Sequence, residues 1–278
     1  MSPTSEPRAS ATSPSYFAAS KAPRYSVLFA LPLLIGYQAL ALMLEQPGRP
    51  ELRNGADVLL QTLFIAAAGS RGPLIFITCV VLLGAGLVAR DLRRSRDRLR
   101  GSVFIRMVLE AAGLALVFGL VIGVATSQLL GSLHSLAIVA PGASHAVAGG
   151  QAGAVGHAAA GSGSGLAAMS WPMRLMMSLG AGLYEELFFR VLLVGGIAAG
   201  CRIILGFGRG TSGVIAVIIG ALVFSAFHYI GPYGDVFTVQ SFVFRALSGV
   251  AFSGLYLVRG FGITAWTHAL YDAFLLLG

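Results

Sequence analysis

The chain has 278 residues, 56% of them hydrophobic and only 11% charged, against roughly 25% charge in an ordinary soluble domain. That composition excludes a water-soluble globular fold and makes lipid the main solvent. The formal net charge of +8 does not point to nucleic acid, because the arginines cluster beside hydrophobic segments, where they orient a protein at a membrane surface.

Residues 1–24 are rich in Ser, Ala and Pro, carry Arg8, Lys21 and Arg24, and read as a disordered basic tail. The apolar run that follows is long enough to span and lacks a small-residue cleavage site, so a tail before a first span is expected rather than a signal peptide. Since a helix needs about 20 residues to cross the hydrocarbon, seven spans are predicted: 26–44, 73–89, 107–130, 175–200, 213–229, 237–258 and 262–277. The run 58–68 is apolar but half that length, which suits an interfacial or re-entrant helix. The expected fold is all-α, a polytopic membrane helix bundle of about seven transmembrane helices plus that short one.

Arg90, Arg93, Arg94, Arg96, Arg98, Arg100 and Arg106 crowd one loop, the strongest orientation signal in the chain, and predict that it is cytoplasmic. Counting spans outward puts the amino terminus, Arg202, Arg209 and Arg259 on the same side. Residues 131–170 fall outside, contain no Lys, Arg, Asp or Glu before Ser170, and are biased to Gly, Ala and Ser, so they read as an extracytoplasmic linker with His145 and His157 solvated. The linker separates amino-terminal transmembrane helices (25–130) from a carboxy-terminal membrane domain (171–278). The two halves show no internal repeat, which argues against a transporter built from inverted repeats. Cys79 and Cys201 have no CxxC or Cys/His spacing and are expected to be structural and inert.

The chemistry lies in the second half. A helix is predicted to start at Ser170-Trp171-Pro172, with Ser as N-cap and Pro in the first turn, and to carry Glu185, Glu186 and Arg190 near its middle. Each charge facing lipid would cost roughly 2.5 to 3.5 kcal/mol on an insertion scale, so all three must face protein or a wet cavity. Glu186 and Arg190 are four apart in the favourable order for a helical ion pair. Glu185 is turned about 100° away and has no such local partner. The bland reading is a buried salt-bridge network; the sharper one has Arg190 holding Glu186 while Glu185 acts as general base towards water. Phe224 and His228 close the next helix, and the last carries His268 and Asp272, four apart, so that a carboxylate stands beside an imidazole whose tautomer it can fix. A lone His is more often a packing residue, and the His268–Asp272 pair could simply tie down the last helix. Convergence of one free glutamate, two histidines and an aspartate from three helices supplies a base, a water orienter and oxyanion donors, the set needed for attack of water on an amide. By the predicted boundaries Glu185 lies mid-helix, His228 near the outer end and His268 nearer the inner side. This implies either shifted helix ends or helices staggered around a deep cavity, with Gly231, Pro232 and Gly234 allowing the chain to break and re-enter.

The ordered motifs EExxxR, FxxxH and HxxxD on three apolar helices closely resemble the CAAX protease and bacteriocin-processing (CPBP, or Abi) family of intramembrane endopeptidases, over about residues 171–278. The resemblance implies that Glu185 and His228 activate water, that His268 and Asp272 stabilise the oxyanion, and that Glu186, Arg190 and Phe224 support them. It also implies a glutamic-type enzyme without a metal cofactor. A Glu, two His and an Asp could bind Zn²⁺ chemically, but no HExxH is present. Many members have Asn where this chain has Asp272; an ionised aspartate cannot donate to an oxyanion, so Asp272 would be protonated, orient His268 or ligate a metal. The expected substrate is a membrane-associated peptide or protein, with the lipid bilayer and no nucleic acid as the other partner. The expected location is a multi-pass position in a cell membrane, the bacterial inner (plasma) membrane on grounds of compact size and Gly and Ala content. The rival readings are a proton-coupled transporter and a non-catalytic membrane scaffold or immunity protein.

Overall fold

In hydrocarbon an unpaired backbone N–H or C=O costs several kcal/mol, so a spanning chain satisfies its backbone within each helix. The computed structural model describes residues 15–45, 53–95, 98–139, 169–231 and 234–277, with the side chains of 133–139 and 276–277 set aside. In chain order the elements are α1 (Tyr16–Lys21), α2 (Pro23–Leu44), α3 (Gly55–Ala68), a 3₁₀ turn (Gly69–Arg71), α4 (Gly72–Arg94) and α5 (Gly101–Val139). After the linker come α6 (Trp171–Gly180), a π-helical segment (Ala181–Val194), α7 (Gly195–Ile203), α8 (Arg209–Phe227), α9 (Val239–Arg259) and α10 (Phe261–Leu277). No strand occurs among the described residues, and the all-helical membrane bundle read from the sequence is borne out.

Five stretches among the described residues are long and apolar enough to cross a membrane: Pro23–Leu44, Gly55–Arg94, Gly101–Ser132, Arg209–Phe227 and Val239–Arg259. Of the other two predicted spans, α10 has 17 residues, about 25 Å at 1.5 Å per residue. The last is the helical path from Trp171 to Ile203, continuous but built from three pieces. Leu82, Leu83, Leu109, Leu116 and Leu120 all face outward, as side chains in contact with lipid do.

The elements differ from expectation in three places. Residues 16–21, placed in the disordered tail, form α1, with Ala19 and Ser20 buried; composition could not show the distant carboxylate that anchors this turn. Residues 1–14 lie outside the described part. The third span does not stop at Leu130, because α5 continues to Val139 through a stretch in which only Gly131 disfavours helix. The rest of the expected linker from residue 140 to 168, with His145 and His157, lies outside the described residues. The half-length apolar run is α3, which turns at Gly69–Arg71 and packs back along α4. Cys79 is exposed on α4 while Cys201 is buried, and neither is bridged.

Of the ends predicted to share one side, those near Arg24, Arg90–Arg106 and Arg259 are linked by ion pairs and hydrogen bonds. Arg24 Nε lies 3.1 Å from Asp91 Oδ2, joining the start of α2 to the end of α4. Arg259, at the end of α9, donates to both oxygens of Glu110 near the start of α5 at 2.5 and 2.7 Å. Tyr16 donates to the same carboxylate, and Lys21 Nζ reaches Leu257 O at 3.3 Å.

The carboxy-terminal helix is the centre of the bundle. It packs on α2, α5, α6, the π-helical segment and α9, and gives residues to all three apolar clusters: Ala265 and Ala269 beside Tyr37 and Tyr184, Ile263 beside Phe29 and Met107, and Tyr271 beside Phe118 and Phe252.

Candidate active site

Glu185 and Glu186 sit in the π-helical segment, where the Gly195 N–H donates to Arg190 O five residues back. Such wide turns are rare and recur at functional sites. The segment lies directly against α10: a Cβ added at Gly182 would fall 2.3 Å from Ala265 O. Glycine facing Ala265 and Ala269 therefore lets the two backbones touch, as small residues do between membrane helices. That contact brings the glutamates against His268.

Glu186 is fully buried and held on both oxygens. Oε2 is 3.1 Å from Arg190 Nε, an ion-pair distance without the angle of a hydrogen bond. Oε1 is 2.7 Å from His268 Nδ1, and since a carboxylate accepts, Nδ1–H is the donor. The Arg190 terminal nitrogens make no hydrogen bond among the described residues. Their charge rests instead on aromatic faces, with Cζ 4.4 Å from the Phe224 ring centroid and 5.6 Å from that of Phe252, a cation–π arrangement.

Glu185 is placed differently. Its Oε1 accepts from Asn54 Nδ2 at 2.8 Å, and its Oε2 faces His228 Nε2 across 4.0 Å. His228 occupies the C-cap of α8, and its Nδ1 lies 2.8 Å from Phe224 O. A carbonyl only accepts, so Nδ1 carries the hydrogen, and the neutral form of the ring has its lone pair at Nε2, on the side of Glu185. His268 Nε2 is 3.6 Å from Asp272 Oδ2, beyond a good hydrogen bond, and its ring stacks on Phe252 at 4.4 Å between centroids. Phe224 stands between the imidazoles, 4.8 Å from His228 and 6.4 Å from His268. The side chains of His228 and Asp272 are each 25% exposed while Glu186 is at 0%, so the cluster is least covered at the His228 and Asp272 edge.

Glu185, Glu186, Arg190, Phe224, His228, His268 and Asp272 thus gather in one cluster. They come together despite their uneven predicted depths, with His228 at the C-cap of α8 and its ring on the carbonyl of its own last turn. The chain after His228 does not re-enter as a helix in the described residues. It turns through Gly231 at φ 93°, is tied back by the Asp235 N–H on His228 O at 2.9 Å, and starts α9 at Val239; Pro232 lies outside the described residues. The carboxylate at hydrogen-bond distance from His268 is Glu186 rather than Asp272, a pairing between helices that i,i+4 spacing could not reveal. Sequence reasoning also missed Asn54, Phe252 and the ion pair of Asp235 with Arg245; for Asn54 the sole local signal was its place before a helix.

Among the described residues no three His, Cys, Asp or Glu side chains converge so as to hold a metal ion. The Nδ1 atoms of both histidines are committed, one to a carbonyl and one to Glu186.

A polytopic helical bundle with three carboxylates, two imidazoles and a guanidinium gathered inside it has the makings of an intramembrane hydrolase. Residues 167–274 match the family model described as type II CAAX prenyl endopeptidase, Rce1-like. This stretch contains all seven residues above and bears out the resemblance of the carboxy-terminal part to the CAAX protease family, within a multi-pass membrane protein. No curated protein and no solved structure matches the chain.

Proposed function

We propose that the protein is a glutamic-type intramembrane endopeptidase that hydrolyses a peptide bond in a membrane-associated protein or peptide, with residues 171–278 as the catalytic unit. The observation that carries this reading is the opposition of two acceptors, Glu185 Oε2 and His228 Nε2, 4.0 Å apart. Two acceptors cannot bond each other, but a water between them donates one proton to each and is left with its lone pairs free.

In this mechanism Glu185 takes a proton as the water oxygen bonds to the substrate carbonyl carbon and the carbonyl π pair moves to oxygen. The resulting oxyanion is stabilised on the α10 side. With Nδ1–H committed to Glu186, His268 offers a donor at Nε2 as the imidazolium, a charge that Glu186 and Asp272 on either side of the ring balance, and Asp272 orients the ring. The proton held by Glu185 then passes to the amide nitrogen, the C–N bond breaks, and an amine and a carboxylic acid leave. Glu186, Arg190 and Phe224 hold His268 and the helix carrying Glu185. No metal is assigned a step, because Glu185 and His228 by themselves position and deprotonate the water. The proposed setting is the plasma membrane of a bacterium, in keeping with the compact chain and its 37 glycines.

The test compares amino-terminal ends of membrane proteins in cells carrying the intact protein, Glu185→Gln or Glu185→Ala, with insertion checked for each. New termini that vanish in both variants are the expected result. Unchanged termini in both would remove the general-base role, and proton flux in proteoliposomes that depends on Glu185 without any cleavage would favour a transporter.

A further inference from the structure

The structure assigns Asn54, from the amino-terminal half of the chain, as a positioning residue for Glu185; the inference rests on the general-base reading of that glutamate. Asn54 is 3% exposed and N-caps α3, its Oδ1 accepting the Ala56 N–H at 2.9 Å. A primary amide has one acceptor end and one donor end. With the oxygen held by the cap, the NH₂ group must be the end that meets Glu185, at 2.8 Å from Oε1.

The residue is itself fixed on every side. Its backbone N–H donates to Tyr37 Oη at 3.1 Å, and Tyr37 in turn donates to the buried Asp57 at 2.8 Å. Asp57 also receives Gln61 at 2.7 Å and Arg53 at 3.3 Å. Space for the pair comes from Gly180, where a Cβ would lie 2.5 Å from the Tyr37 ring and 2.8 Å from Asn54 Cβ.

The choice of an amide has a chemical meaning. The terminal torsion of a glutamate is broad and roughly two-fold, so without a partner Glu185 would present either oxygen at many angles. One neutral donor on Oε1 leaves Oε2 turned to His228 and does not neutralise the carboxylate, as Arg190 does for Glu186. The base therefore stays both aimed and basic. Asn54 lies outside the stretch that matches the family model, so the reacting geometry is completed by helices the motifs do not include.

The test uses the full-length protein in detergent with a peptide that it cleaves. Ser and Thr also N-cap helices, so Asn54→Ser and Asn54→Thr keep α3 capped and remove the amide donor without setting a second carboxylate against Glu185. Both are expected to retain the wild-type Tm and KM while kcat falls about 10- to 100-fold, the scale of a misplaced reacting group. Asn54→Ala should lose kcat alike and also lower Tm. Wild-type kcat in either capped variant, or a loss that appears in KM or follows Tm, overturns the assignment. Glu185→Gln in the same assay separates the two levels. If it is inactive while Asn54→Ser works at full rate, only the positioning role fails; if it still cleaves, the underlying reading fails first.

Discussion

Two of the charge clusters buried in this bundle are built on opposite plans. At the end that gathers α1, α5 and α9, Arg259 grips both oxygens of Glu110 at 2.5 and 2.7 Å, with Tyr16 on the same carboxylate and Ser20 Oγ 3.0 Å from Arg259 Nη2. The Phe17 ring covers the guanidinium at 4.4 Å. Burial, and then the neighbouring carboxylate, push the Tyr16 phenol up to about 12, so it remains a donor throughout the neutral range. In the other cluster Glu185 has one oxygen on a neutral amide and the other 4.0 Å from an imidazole lone pair. The first arrangement is closed and ties three helices together. The second is held open by partners that do not complete it, which is what a group that must exchange protons requires.

The comparison can be broken at either end, and the largest effect is expected at its open side. Glu185→Gln, isosteric and uncharged, should lower kcat about 1,000-fold with the Tm unchanged, the scale of lost general-base catalysis. It is measured by cleavage of a reporter peptide alongside thermal unfolding in detergent. His228→Ala should cost about 100-fold in kcat, less than the glutamate because the carboxylate still accepts a proton; equal losses in the two single variants and in the double variant would show that they act as one unit. At the closed end the sign reverses: Arg259→Ala should leave kcat unchanged and destabilise by about 2 kcal/mol. Breaking a well-buried pair costs 3–5, and the discount reflects the partial exposure of Glu110 to screening. Equilibrium unfolding in detergent reads this, and a double-mutant cycle with Glu110→Gln isolates the pair. The smallest change is expected for Asp272→Asn, which puts in place the residue that many members of the resembled family have. Because an amide can sit beside His268 Nε2 and add a donor, kcat should stay within about five-fold of wild type on the mutational scale of one partly exposed polar contact. A loss as large as that of His228→Ala would mean that the carboxylate itself is needed.

Much of the carboxy-terminal half was legible because its information is local. Glu186 with Arg190, and Phe224 with His228, are contacts one helical turn apart that periodicity predicts, and the cost of charge in lipid forced these side chains inward. The same locality misled at His268. The spacing offered Asp272, while the bundle supplied Glu186 at 2.7 Å from a different helix. It misled again at residues 16–21, where Ser, Ala and Tyr read as tail until Glu110 and Arg259, far along the chain, gave that turn something to hold.

Composition and periodicity by themselves determined that the chain is a membrane helical bundle, where its spans run apart from the longer α5, and which ionisable side chains cannot face the bilayer. These follow from solvation and helix geometry, which act residue by residue. Only the tertiary structure decided which oxygen meets which nitrogen: the gap between Glu185 and His228, the commitment of His268 to Glu186, and the reach of Asn54 across 131 positions to the carboxylate. Such pairings depend on how helices tilt and how closely glycine lets them approach, and no single segment encodes that.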